Sequence, residues 1–146
     1  MSTEIKKSTL QQVAETYVKA VSSNFAESSL SMDEYSKKCV LLAINKMNDV
    51  LKENGKSWKE VNASSVTACL TSIATLKLNL SAYPAEAYIV LRGNNLSFAP
   101  QGEGYRTLVQ RFGRGVKDVA EPWLVKEGDS FTYPSFDGEN MTPPKW

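Results

Sequence analysis

The sequence contains no histidine, so the commonest general base and the commonest metal ligand of proteins are both missing. It also has no Walker-type glycine loop, and Gly102 and Gly104 are not followed by a third glycine at dinucleotide-binding spacing. No serine or cysteine has a plausible base partner, and the acidic residues are scattered. We therefore expect no cofactor and no enzymatic activity. A nuclease whose metal is held by carboxylates alone is a less favoured alternative.

Cysteines and long apolar runs are also scarce. Cys39 and Cys69 lie far apart in segments with helical patterns, so free buried thiols in a reducing compartment are favoured over a disulfide. The N-terminus has no apolar signal segment, and no stretch approaches the apolar length of a membrane span. These features predict a soluble, cytoplasmic protein without membrane association.

The formal net charge of +1 hides an uneven distribution of charge along the chain. All four arginines lie between residues 92 and 114, and residues 92–117 contain five basic side chains against the single acid Glu103. The segment after Lys126 is acidic. The chain therefore has a local basic patch, which is the charge pattern of a surface that contacts phosphates.

Three helices are predicted in the first half of the chain. A capping box at residues 8–11 begins the first helix, and the polar stretch 22–31 ends it. A second capping box at residues 31–34 begins the next helix, which ends near Asn54-Gly55. The third helix begins at Asn62 or Ser64 and is rich in small hydroxyl side chains. Such side chains permit close packing against a neighbouring element or another subunit.

The second half changes character after Leu80, because Pro84 predicts a loop. Residues 87–92 alternate in polarity, and Gly93-Asn94-Asn95 predicts a hairpin turn that leads to a partner strand at 96–99. Further strands are predicted at 116–126, with an edge or bulge at Pro122, and at 131–136. Together these elements predict an α+β fold in which N-terminal helices pack on a small antiparallel sheet, with a β-hairpin followed by a short basic helix.

That short basic helix, at residues 101–113, is predicted to have two distinct faces. Its large side chains recur at i, i+3, i+4 and i+7, which predicts a stripe that packs in the core. The members of this stripe are Tyr105, Leu108, Val109 and Phe112. Arg106, Arg111 and Arg114 are predicted to form an exposed arginine row that can hold a phosphate backbone.

Separate blocks of the second half occur in an order and spacing that resemble a known family. The blocks are Leu76-Lys77-Leu78-Asn79-Leu80 with Ala85-Glu86-Ala87-Tyr88, then Gly104-Tyr105-Arg106 with Leu108 and Arg111-Phe112-Gly113, then residues 125–131 with the Phe136-Asp137-Gly138 turn. The family is the RecT family of phage single-strand annealing proteins. Its members often have glycine where Thr107 stands, and a small residue or glycine where Pro84 stands. The family's shared region extends further and includes a later basic helix, so the resemblance covers its N-terminal part.

The resemblance implies an ATP-independent annealing protein of phage homologous recombination. Such proteins bind single-stranded DNA, assemble into rings or helical filaments, and pair the strand with its complement. The implied partners are single-stranded DNA and annealed duplex, further copies of the chain, a phage exonuclease and the host single-strand-binding protein. The implied location is the bacterial cytoplasm. Residues 1–30 would be an N-terminal helix suited to an assembly arm, and residues 31–146 the N-terminal portion of the annealing core.

Binding of single strands without sequence preference needs cations along the backbone and flat side chains for the bases. We therefore predict a DNA-binding set made of Arg92, Gln101, Tyr105, Arg106, Arg111, Arg114 and Lys117. Tyr88 is a further aromatic candidate. A core role remains open for Tyr105, and ordinary solvation remains open for the charges of Arg92 and Lys117. The alternative function is an interaction module that binds no DNA and modulates a full-length annealing protein.

Overall fold

A computed structural model describes residues 9–116 together with 119, 126–130, 132, 135–136 and 141–142. In chain order the elements are α1 (Thr9–Glu27), α2 (Glu34–Glu53), α3 (Ala63–Leu76), β1 (Ala87–Arg92), β2 (Asn95–Pro100), α4 (Gly102–Phe112), β3 (Ser135–Phe136) and β4 (Met141–Thr142). β1 pairs with β2 and β3 pairs with β4, both antiparallel. α2 packs against β1 and α3 against β2, which confirms the predicted α+β class.

α1 is longer than predicted, because the expected end of the helix at the polar stretch 22–31 is wrong. The helix continues to Glu27. Val21 is fully buried, and Phe25 packs against the core one turn later. Between them, the Asn24 amide donates to the Thr71 hydroxyl of α3 at 3.1 Å. The polar residues up to Glu27 therefore belong to a packed helix, and the Thr71 hydroxyl of α3 makes a contact within the chain.

Side-chain caps fix the starts of α2 and α3. The cap of α2 is Asp33, whose carboxylate accepts from the Ser36 backbone N–H at 2.7 Å, two residues after the predicted cap at Ser31. Asn62 caps α3 by accepting from the Ser64 N–H at 3.0 Å, as one of the two predictions stated. α2 ends at Glu53, next to the predicted stop at Asn54-Gly55.

The core lies between α1, α2 and α3 and the inner face of the hairpin. Its largest fully buried side chains include Ile44, Met47, Leu51, Leu70, Ile73, Leu78 and Leu96. Along β1 the predicted alternation is confirmed, because Ala87 and Ile89 are buried whereas Tyr88 between them is 50% exposed. One polar contact ties two helices across this core, since the buried Ser36 hydroxyl donates to the Ala74 carbonyl at 2.9 Å.

The predicted strand at 116–126, including its edge at Pro122, lies mostly outside the described residues. β3 falls within the strand predicted at 131–136 and pairs Ser135 with Thr142. In the described part of the chain, no helix combines the length and apolarity needed to cross a membrane.

Candidate nucleic-acid interface

α4 carries three of the four large side chains of its predicted stripe on the surface of the protein and not in the core. Tyr105 is 59% exposed, Val109 41% and Phe112 61%. Leu108 is the member of the predicted stripe that packs against the core, and the buried positions of α4 are Gly104 and Thr107. The helical spacing was predicted correctly, but the prediction that the stripe is buried is wrong for Tyr105, Val109 and Phe112. The face of α4 that meets the core is rotated about the helix axis by roughly 100° from the predicted face, which is the angle between successive residues of an α-helix.

The reason for this rotation is a close approach between α4 and the residue that precedes β1. A Cβ atom placed on Gly104 would lie 1.8 Å from the Glu86 carbonyl oxygen. The same carbonyl accepts a hydrogen bond from the Gln101 backbone N–H at 2.9 Å. A helix held this close can turn only a position without a side chain toward Glu86, so Gly104 faces inward and Tyr105 faces out.

The Glu86 side chain is 11% exposed, and polar groups surround its carboxylate. One oxygen accepts from the Asn79 backbone N–H at 2.6 Å. The other accepts from the Thr107 hydroxyl at 3.4 Å and lies 4.0 Å from the Arg111 guanidinium. A buried carboxylate is costly unless it is paired and hydrogen-bonded, and these three partners supply both. Thr107, where the RecT family often has glycine, thus has a contact of its own.

Arg111 lies against the C-terminal end of α3. Its Nη1 atom donates to the Leu76 carbonyl at 3.1 Å and to the Lys77 carbonyl at 2.6 Å, and its guanidinium carbon is 5.8 Å from the centre of the Tyr35 ring. The last carbonyls of a helix lack intrahelical donors and carry its negative partial charge, so a guanidinium is well matched to them. The predicted arginine row is therefore interrupted at Arg111, whose side chain is 31% exposed. A contact between Arg111 and DNA stays a prediction.

The other predicted residues near α4 share its outer side. Gln101 is the exposed N-cap of α4, and its side chain makes no capping hydrogen bond. Arg106 is 28% exposed and lies 4.0 Å from Glu103 one turn earlier. Arg114 is exposed in the turn after the helix. The structure thus places Tyr105 and Arg106 on α4 with the exposed stripe, Gln101 at the start of the helix, and Arg114 two residues after its end.

Arg92 lies at the far end of the hairpin from α4. The strand register pairs Ala87 with Pro100 beside the start of α4, whereas Arg92 pairs with Asn95 at the turn. These two ends are roughly 17 Å apart at about 3.3 Å per residue. Next to Arg92, the Lys56 ammonium group donates to the Gly93 carbonyl and the Asn94 side chain. Arg92 therefore belongs to a second basic area, and Lys117 lies outside the described residues.

A groove of about 290 Å³ lies between α2 and β1, and of the DNA-binding candidates that the structure describes only the further candidate Tyr88 lines it. Its wall includes the exposed Tyr88, and its charged residues are Lys46, Asp49 and Glu53. With two acids against one lysine, this groove is poorly suited to a phosphate.

The two cysteines are free and buried, as predicted. Burial raises the pKa of the Cys69 thiol to about 12. The pKa of Cys39 is also raised, first by burial and then by the nearby charge of Glu86. Both thiols are therefore protonated at neutral pH and unsuited to nucleophilic chemistry. Among the described residues, no group of three acidic or cysteine side chains is placed to hold a metal ion.

Comparison of the chain with protein-family models, curated proteins and solved structures found no match in any of the three. The resemblance to the RecT family therefore depends on the residue blocks themselves. Parts of two of these blocks meet in space. Arg111 of the second block donates to the carbonyls of Leu76 and Lys77 in the first block, and it faces the carboxylate of Glu86 from the same first block. The backbone N–H of Asn79, also in the first block, donates to that carboxylate.

Proposed function

We propose that this chain binds single-stranded DNA through the outer face of α4 and anneals complementary strands without ATP. The observation that supports this proposal best is the exposed stripe of α4 with arginines beside it. Tyr105 and Phe112 are 59% and 61% exposed, Arg106 lies on the outer side of the same helix, and Arg114 is exposed two residues after the helix ends. This combination of flat side chains and cations suits a ligand with flat bases and a charged backbone.

Each part of this surface has a physical role in the proposed complex. Stacking of a base on an aromatic side chain contributes about 1–3 kcal/mol and works for every base, so it gives affinity without sequence preference. Tyr105 and Phe112 are roughly 10.5 Å apart along the helix axis at 1.5 Å per residue, a span of several bases. Arg106 and Arg114 supply forked donors for phosphate oxygens beside the stacked bases.

Assembly and partners form the second half of the proposal and follow from the resemblance to the RecT family. Copies of the chain form rings or helical filaments on DNA, a phage exonuclease exposes the strand, and the host single-strand-binding protein is a further partner. These events take place in the bacterial cytoplasm. The contacts within α4 and around Glu86 leave the outer side of the helix facing solvent, which supports its use as the DNA surface.

The second candidate function is an interaction module that binds no DNA and modulates a full-length annealing protein. The observation that favours it is the apolar character of the same stripe, because Val109 is 41% exposed between the two aromatic residues. Exposed apolar side chains grouped on one helix face are also typical of surfaces that bind proteins.

One experiment separates these functions. Fluorescence anisotropy of a labelled oligo-dT strand is measured against protein concentration, with and without EDTA, and annealing of two complementary labelled strands is followed by energy transfer. We expect saturable binding and faster annealing that EDTA does not change. Absence of both would favour the interaction module, and cleavage of the strand that EDTA suppresses would favour a metal-dependent nuclease.

A further inference from the structure

We infer that Glu86 and Arg111 are positioning residues that hold α4 against the end of α3, so that Arg111 supports DNA binding without contacting a phosphate. The inference rests on the proposed function only in its statement about DNA. The positioning of α4 by this pair is independent of any ligand.

The first argument is that the Arg111 guanidinium is already engaged on several sides. It donates to the carbonyls of Leu76 and Lys77, and its Nη2 atom lies 4.0 Å from the Glu86 carboxylate. A phosphate that drew Arg111 away would leave these helix-end carbonyls and a carboxylate of a residue only 9% exposed with fewer partners. The Glu86 carboxylate is the buried member of this set, and a buried carboxylate that loses its nearest cation is costly, so exchange of these partners for a phosphate gains little.

The second argument is that α4 has few apolar contacts to hold it. Three of the four large side chains of its stripe are more than 40% exposed, and its buried positions are Gly104 and Thr107. Polar contacts at both ends of the helix take over this role. At the start, the Gln101 N–H donates to the Glu86 carbonyl, and in the last turn Arg111 reaches the Leu76 and Lys77 carbonyls.

These contacts all lead to one short part of the chain, residues 76–86, which joins α3 to β1. Glu86 takes part in several of them, since its backbone oxygen contacts the start of α4 and its carboxylate faces Thr107 and Arg111. The pair therefore holds the last turn of α4 in the rotation that the Gly104 contact with the Glu86 backbone sets, and this rotation decides whether Tyr105 and Phe112 face solvent. A change at either residue is expected to disturb the outer surface without removing any group from it.

A positioning residue and a phosphate ligand differ in the salt dependence of binding. Removal of a phosphate contact flattens the log–log salt slope by about 0.7 for a single strand, whereas loss of positioning weakens binding without a matching change of slope. Binding of labelled oligo-dT is therefore measured over a range of salt for Arg111→Ala, Arg111→Lys, Glu86→Gln and Arg106→Ala. Amide hydrogen exchange of residues 102–112 is measured on the same proteins without DNA.

We expect Arg111→Ala and Glu86→Gln to exchange α4 amides about tenfold faster, in line with the loss of charged hydrogen bonds, and to bind DNA more weakly with an unchanged slope. Arg111→Lys should have an exchange rate and a DNA affinity between those of these two variants and those of the parent, since lysine keeps the charge but not the forked geometry of the guanidinium. Arg106→Ala should keep normal exchange and show the flatter slope. If Arg111→Ala behaves like Arg106→Ala, Arg111 is a phosphate ligand and the inference is wrong.

The exchange measurement keeps the two proposals separable. Normal exchange in both Arg111→Ala and Glu86→Gln overturns the positioning role whatever the DNA result is. Fast exchange in these variants, together with a parent protein that binds no DNA, retains the positioning pair and overturns the proposed function.

Discussion

Gly104 lies so close to Glu86 that a Cβ atom at position 104 would fall 1.8 Å from the Glu86 carbonyl oxygen and 2.9 Å from its carbonyl carbon. Both atoms belong to the backbone, which cannot move aside as the end of a flexible side chain can. The relationship explains why α4 turns its glycine inward and leaves Tyr105 and Phe112 outside. It also makes the rotation of α4 testable by the addition of a single methyl group at position 104.

We expect Gly104→Ala to destabilise the protein by about 1–3 kcal/mol, the usual range for an overpacked contact. Gly102→Ala is the matched control, because no atom lies within 4 Å of the corresponding Cβ position and the residue is in the same helix. Its effect should stay within about 0.5 kcal/mol. Urea unfolding of the two variants checks this, and equal stability of both would contradict the described rotation of α4.

The exposed stripe should contribute to binding and not to folding. Phe112→Ala is expected to leave the melting temperature nearly unchanged, because the side chain is 61% exposed, and to weaken binding of oligo-dT by about 1–3 kcal/mol. Leu108→Ala is the control within the same stripe. Its side chain packs against the core, so it should cost on the order of 1–3 kcal/mol of stability, less than full burial would give. If calorimetry shows that Phe112→Ala is the destabilising variant and anisotropy shows that Leu108→Ala is the one that weakens binding, Phe112 belongs to the core.

Acid should destabilise the protein through Asp33. The pKa of this carboxyl is lowered from 3.8 to about 2, first by its hydrogen bond with Lys77 and then by those with Ser36. Because the folded pKa lies below the unfolded one, the stabilisation is present above about pH 4 and is lost as the pH falls toward 2. Asp33→Asn keeps a capping side chain but removes the titration, so its stability should fall less steeply over this window in urea unfolding. A parallel pH dependence of both proteins would rule out this role.

The buried thiols should be inert in the folded protein. Burial raises the pKa of Cys69 to about 12, and Cys39 is shifted in the same direction. At pH 8 a thiol-specific reagent should therefore label neither residue until urea unfolds the chain. Rapid labelling of Cys69 under native conditions would show that α3 opens easily. The same shift predicts that stability declines as the pH rises above the ordinary thiol value of 9.0, since the unfolded chain releases that proton first.

Local patterns predicted the elements of this fold well, because the forces that form them act between near neighbours. The hairpin follows from its alternation and from Gly93-Asn94, and α3 follows from the cap at Asn62. The end of α1 was predicted wrongly because a polar outer face resembles a loop when the partner that covers the other face is unknown. Phe25 was the signal that the helix continues, since it lies one turn after the buried Val21.

The candidate site was harder to predict because it depends on contacts between distant parts of the chain. In the sequence Glu86 is one of several scattered acids and a member of one resemblance block, yet its contacts with Asn79, Thr107 and Arg111 help to place α4. Periodicity shows which side chains of a helix share a face, but it cannot tell which face meets the core. A glycine inside a helical pattern was the available signal, because Gly104 marks a close approach of backbones.

Arg106 and Arg114 should account for much of the salt dependence of DNA binding. Arg106 lies on the outer side of α4 and Arg114 is exposed two residues after the helix ends, and each phosphate that an arginine neutralises contributes about −0.7 to the log–log salt slope. The double variant Arg106→Ala/Arg114→Ala is therefore expected to bind all sequences more weakly and to flatten the slope by roughly 1–1.4. Its melting temperature should barely change, because the ion pair of Arg106 with Glu103, at 4.0 Å on the surface, contributes little to stability.

Arg92→Ala is the matched control at the far end of the hairpin and should leave the slope unchanged if α4 is the DNA surface. A double variant with the affinity and slope of the parent would move the DNA site away from α4, and a large effect of Arg92→Ala would place it at the hairpin turn, where Lys56 adds a second cation.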